Sequence, residues 1–351
     1  MLSIPTSRYH RLFVWALLPD LMMNKTSVHV VQWQHQIIIF VNTYVLFFQI
    51  LLGCSGNVLN LIVLISRKMR SRTNLIFALM AFADLFFLLM HIPQFLFFCN
   101  VLVHNSQRYR ESVHFIRGVQ NWLSAISIWC MMYATIERVQ VLRSPFRTSR
   151  RTVSPRFLAT IAIIVIGALG VTAQTFAPPG AIYSARVSKT LVFIHVASVV
   201  VIPLVICSLL NILLVSALKK NTMPTQMLKD SQAQQTLLDA RNKTERKVTI
   251  MVTVIITSFV VCNAPGAILA FLIQNNLIYR KGLTTALLQV LSNTLVTTAK
   301  VLNFLLFCMS SDHFRALLRL QLTSVFDCTS VKRRSSCRSA TKISSVPLHD
   351  L

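Results

Sequence analysis

Apolar positions along the chain gather into seven long runs, at 37–65, 75–98, 119–141, 157–176, 191–218, 248–273 and 283–309, separated by short polar and basic stretches. A helix needs about 20 residues to cross the hydrocarbon of a bilayer, and every run reaches that length. Lipid offers no water to satisfy a backbone N–H or C=O, so each run predicts a helix. The fold class expected is an all-α membrane protein, a seven-transmembrane helix bundle with a short amphipathic eighth helix after it. This divides the chain into an N-terminal tail at 1–36, the bundle at 37–309, the amphipathic helix at 310–322 and a tail at 323–351. An earlier apolar stretch at 12–23 follows Arg8 and Arg11, as a secretion signal would, but Pro19 and Asp20 interrupt it. It reads as part of an uncleaved tail.

Composition agrees with a bilayer as solvent, because 54% hydrophobic and 13% charged residues are too apolar a mixture for a soluble domain of this length. A net charge of +25 raises nucleic acid as a partner. The basic residues, however, sit in clusters between the runs and form no patch interleaved with aromatics. The lipid bilayer is the expected partner, with no nucleic acid. Of the Lys and Arg outside the runs, 23 fall on one side and 10 on the other. That excess puts the C-terminus in the cytosol and the N-terminus outside, in a multi-pass protein of the plasma membrane. Asn24, in Asn24-Lys25-Thr26, then becomes a glycosylation acceptor.

Enzymatic chemistry finds little to work with. The chain has no HExxH, GxSxG, P-loop or CxxC pattern, and one carboxylate deep in the membrane makes no acid–base pair. Its nine histidines do not cluster as ligands, so neither a metal nor another cofactor is expected. Cys54, Cys130, Cys207 and Cys262 read as small buried hydrophobes, while Cys99 near the outer face has no evident disulfide partner. Cys328 and Cys337 follow the amphipathic segment, where palmitoylation and a free thiol are equally open readings.

Polar residues inside the runs carry more information. The first run holds Gly56-Asn57, the second Ala81-Phe82-Ala83-Asp84-Leu85, and the third ends in Glu137-Arg138-Val139. Pro203 interrupts the fifth, Cys262-Asn263-Ala264-Pro265 the sixth, and Asn303-Phe304-Leu305-Leu306-Phe307 closes the seventh. This pattern resembles the rhodopsin-like G-protein-coupled receptors over residues 37–320. The last two motifs look like degenerate copies of that family's CWxP and NPxxY. Asn121-Trp122 and Lys300 to Cys308 are similar to invertebrate FMRFamide-type neuropeptide receptors. Two departures stand out: Val113 occupies the expected disulfide position, with no cysteine at 177–190, and the fourth run lacks tryptophan.

The resemblance implies roles. Agonist binding would swing the sixth helix outward, break an Arg138–Glu245 contact beside Glu137, and free Arg138 for a heterotrimeric G protein. Ile128, Pro203 and Phe259 match the family's repacking relay, with Asn263, Pro265, Asn303 and Phe307 completing the transmission path. Prolines at 203 and 265 remove backbone donors and permit kinks. Asn57, Asp84, Ser127 and Lys300 form the expected internal polar network. Family members often bind sodium at the residue matching Asp84, with help from the serine matching Ser127. An unpaired ammonium at the depth of Lys300 would be costly, so Lys300 is expected to replace sodium as a built-in cation on Asp84. A lysine facing a wet cavity is the other reading.

Opsins also carry a lysine in this helix, but three residues further from the asparagine, where Thr297 stands here. A transporter has too few intramembrane charges, since Asp84, Glu137, Arg138 and Lys300 are all the runs contain. Outside the membrane, ten basic residues face Asp20 and Glu111, a field suited to an acidic or neutral ligand. A neuropeptide and, alternatively, a small chemosensory molecule remain as the extracellular ligand. Hydroxyls at Ser335, Ser336, Ser339, Thr341, Ser344 and Ser345 beside Arg333 and Arg334 suit receptor kinases and arrestin.

Overall fold

The computed structural model describes residues 25–67, 71–101, 106–143, 154–177, 184–220, 232–275, 277–278, 282–310, 314–321 and 323. The tails with Asn24, Cys328, Cys337 and the serine cluster lie outside the described residues. So do the side chains of Arg138, Glu245 and Phe307, although their backbones are helical.

Helices α1 (Lys25–Phe40) and α2 (Leu46–Ile65) join through a π turn at Val41–Val45 to make the first span. The second span is α3 (Arg72–Leu89) and α4 (Ile92–Phe98), the third α5 (Ser106–Arg143), and the fourth α6 (Pro155–Thr172) with a 3-10 turn at Ala173–Phe176. In the fifth, α7 (Ala185–His195) passes through a π turn at Val196–Val201 into α8 (Ile202–Lys220). The sixth is α9 (Gln232–Gln274) and the seventh α10 (Leu283–Ser310). No strand occurs among the described residues.

Five of these segments are long and apolar enough to cross a membrane on composition alone. The third and seventh helices are as long but more polar, because they sit inside the bundle. The third packs on the second, fourth, fifth and sixth, while the seventh closes the ring between the sixth and the first. Large apolar side chains point outward, Ile163 and Ile166 being 68% and 69% exposed, as a surface in contact with lipid requires.

Local sequence explains the ends and breaks. Ser71 and Ser154 cap α3 and α6 by accepting the N–H of Asn74 at 3.2 Å and of Phe157 at 3.3 Å. The first helix is already formed at Lys25, well before the apolar run; no Gly or Pro interrupts it there, and Gln34 Nε2 donates to Thr284 Oγ1 at 3.1 Å on the seventh span. The second span, expected as one helix, breaks at Met90–His91 because Pro93 has no N–H and its ring crowds the Leu89 carbonyl. Ahead of Pro203 the π turn makes the same accommodation by widening the backbone.

The amphipathic segment forms a helix at 314–321, α11. Phe314 and Leu317 are buried in the core and Leu318 packs against it, three positions on one helical face. Gln321 Nε2 reaches the Ile62 carbonyl at 3.3 Å, which docks α11 against the end of the first span.

Candidate functional site

At the centre of the bundle, α3 presents Asp84 and α10 presents Lys300 and Asn303, one turn apart. Lys300 Nζ lies 2.7 Å from Asp84 Oδ1, and Asn303 Nδ2 donates to Asp84 Oδ2 at 2.9 Å. Asp84 is fully buried and Lys300 is 5% exposed. The ammonium also sits 4.7 Å from the centroid of the Phe87 ring, one turn from Asp84 on the same face of α3. Asn57 ties the first span in, donating to the Gly53 carbonyl at 2.9 Å and to the Lys300 carbonyl at 3.4 Å. Close approach depends on Gly56, where a Cβ would stand 2.8 Å from Phe304 Cβ.

Beside Lys300 is a cavity of about 20 Å³ lined by Ser124, Ser127, Ile128, Phe259, Asn263 and Asn303 among others. It has room for one water and not for a ligand. Ser127 lines this cavity, and the second oxygen of Asp84 is taken by Asn303. Ile128 and Phe259 of the expected relay meet here, whereas Pro203 is not part of the lining. Asn263 turns its amide back onto the Phe259 carbonyl at 2.8 Å, beside the Pro265 interruption of α9. Thr297, at the opsin lysine position, is buried and donates to the Asn293 carbonyl.

A second polar group, unforeseen in the sequence, lies further out. Asp84, Phe87, His91 and Gln94 follow one stripe of the second span. The helix break leaves the His91 N–H bonded to the Leu88 carbonyl, and the imidazole Nδ1 stands 2.9 Å from the Phe87 carbonyl instead. The same Nδ1 lies 3.2 Å from Gln120 Nε2, so this ring nitrogen faces both a carbonyl and an amide nitrogen. Gln120 Nε2 donates to the Met90 carbonyl at 3.2 Å. Gln94 Nε2 donates to Asn42 Oδ1 at 2.7 Å, the Asn42 amide nitrogen being committed to the Ile38 carbonyl. Backbone carbonyls hold His91 and Gln120 directly, and Gln94 through Asn42. The amide nitrogens of Gln94 and Gln120, both on half-buried side chains, are thus directed at neighbours.

The outer ends of the third to fifth spans are pinned without a disulfide. Phe176 packs on Gly118, where a Cβ would lie 2.5 Å from the ring, and meets Phe115 edge to face at 5.8 Å. Gln174 donates to the Leu191 carbonyl at 2.7 Å, and Trp122 to the Val165 carbonyl at 3.0 Å. Cys99 is a free, exposed thiol; Cys130, Cys207 and Cys262 are buried as expected, and Cys54 is only half-buried. Tyr109, above the third span, stacks on Phe97, and burial pushes its pKa up while Arg117 pulls it down, so the hydroxyl stays protonated. At the other end, Glu137 Oε2 accepts the Thr73 hydroxyl at 2.8 Å, a partner on the second span that the sequence did not suggest.

A helix bundle with its polar groups gathered inside and its apolar surface outside is the architecture of a multi-pass membrane protein, and two comparisons narrow it. The model of the 7 transmembrane receptor (rhodopsin family) matches residues 56–311. A Caenorhabditis elegans protein named as a candidate G-protein coupled receptor is 26% identical over 307 residues, covering 78% of this chain and 71% of that relative. The matched segment runs from the Gly56-Asn57 pair to the end of α10 and takes in the Asp84–Lys300 junction; the chain belongs to the rhodopsin family of seven-transmembrane receptors.

Proposed function

We propose that this receptor detects an extracellular neuropeptide at the plasma membrane, with its N-terminus outside, and activates a heterotrimeric G protein by opening the cytosolic end of the bundle. The observation that carries the ligand reading is the outward cluster of neutral polar side chains His91, Gln94 and Gln120. Neutral amides and an imidazole suit a neutral polar ligand, and the basic outer surface together with Lys300 opposes a cation. A neutral hydrogen-bonding group is left, and the amidated end of a peptide is one. The similarity to FMRFamide-type receptors points the same way, while the relative named as a G-protein coupled receptor supports the coupling alone.

Inside, Lys300 serves as the permanent cation of Asp84, and the relay of Ile128, Pro203, Phe259, Asn263, Pro265, Asn303 and Phe307 carries the change inward. Arg138, released from Glu137 and Glu245, meets the G protein. Kinases and arrestin read the serine-rich tail, and Cys328 and Cys337 are the palmitoylation candidates. A screen of tagged receptor in cells with a G-protein readout tests the ligand reading. An amidated peptide should activate, and its free-acid counterpart should be at least tenfold weaker. Activation by odorants and by no peptide would establish the chemosensory alternative. Topology is tested separately: Asn24 should carry glycan, and antibody should reach a C-terminal tag only after permeabilisation.

A further inference from the structure

Where the fifth and sixth spans lie side by side, polar groups sit in what is otherwise an apolar seam. Asn211 Nδ2 on α8 donates to Thr257 Oγ1 on α9 at 2.9 Å. Thr257 in turn donates to the Thr253 carbonyl at 2.9 Å, so its one hydroxyl proton is committed. Two atoms of the seam are buried and have no partner: Asn211 Oδ1 and the Thr253 hydroxyl. One is an acceptor on α8 and the other a donor on α9, one helical turn from the threonine that Asn211 now holds. Four residues of α-helix rise about 6 Å. In hydrocarbon neither atom can turn to water, and an unmade hydrogen bond there favours any arrangement that makes it.

We propose that Asn211 is a two-position latch between the fifth and sixth spans, holding Thr257 in the arrangement seen here and taking the Thr253 hydroxyl when α9 shifts by about one turn. The two positions are alternatives of similar strength, since both join an amide to a threonine hydroxyl at the same seam. That makes the contact bistable, and a discrete jump of one element past another is how packed helices change register. As the regulation of G-protein coupling, the latch rests on the function proposed above; as a property of the helices, it does not.

The test uses the full-length receptor in lipid nanodiscs, with hydrogen exchange read over residues 250–257. Thr257→Val preserves shape and removes the present partner, so exchange there should rise by about threefold, the weight of a typical hydrogen bond between membrane helices. Thr253→Val removes the alternative partner and should slow exchange by a similar factor. On an Asn211→Leu background the two valine substitutions should no longer differ. Shifts of the same sign, or no shift on Thr253→Val, overturn the latch. Basal G-protein output in cells should follow the same signs. Opposite exchange shifts without any change in output would uphold the latch and remove the G-protein reading instead.

Discussion

The junction of the second and seventh spans and the seam between the fifth and sixth meet the same difficulty, polar side chains inside hydrocarbon, with different completeness. At the junction each charged atom has a partner: Asp84 uses both oxygens, and Lys300 has the carboxylate and the Phe87 ring. At the seam a single interhelical hydrogen bond leaves two buried atoms unmatched. Even near the junction the neutral amides of Asn57 and Asn60 keep orphan atoms. The division follows cost. An unpaired buried charge costs far more than an unpaired amide or hydroxyl, so charges are settled completely and neutral groups are left with play. A fully paired site is a hinge pin, and a partly paired one can move.

The largest effect should come from unpairing the junction. Lys300→Met leaves a buried carboxylate alone, at about 3–5 kcal/mol, and cell-surface expression should fall sharply. Asp84→Asn should do similar harm, while the double substitution recovers much of the loss because neither charge remains. Strictly additive losses would place the two groups in separate environments and erase the contrast with the seam.

A smaller effect tests how tightly the junction is packed. At Gly56 an added methyl would meet Phe304 Cβ, an atom fixed to the backbone and unable to swing away. Gly56→Ala should therefore cost about 1–3 kcal/mol, seen as a lower thermal midpoint of the purified receptor. An unchanged midpoint would mean that the first and seventh spans separate more easily than their contact suggests.

The smallest expected effect is the absence of one. With an ammonium already on Asp84, sodium has no vacant carboxylate, so the thermal midpoint should be equal in sodium chloride and choline chloride at matched ionic strength. Stabilisation by sodium alone would mean that Lys300 leaves Asp84 readily, and the junction would belong with the mobile seam.

Periodicity and length alone determined that seven helices cross a bilayer, since lipid permits no other solution for runs of that length. The depth of Asp84 and Lys300 made their pairing legible too, because a membrane leaves two opposite charges at one level few other partners. The glycine at 56 and the proline at 203 were visible as letters, but their work depended on neighbours. Tertiary structure alone decided that Asn303 completes Asp84, since that choice turns on ångström differences in helix rotation that no spacing records. The same holds for the orientation of His91, Gln94 and Gln120. Their stripe, in step with Asp84 and Phe87, was a signal available in the sequence. Which partners they take depended on a carbonyl freed by the break before Pro93, and on the residues that the third and first spans bring beside it. Hydrogen-bond direction is a property of neighbours in space, and the chain order of Asn42, His91 and Gln120 does not contain it.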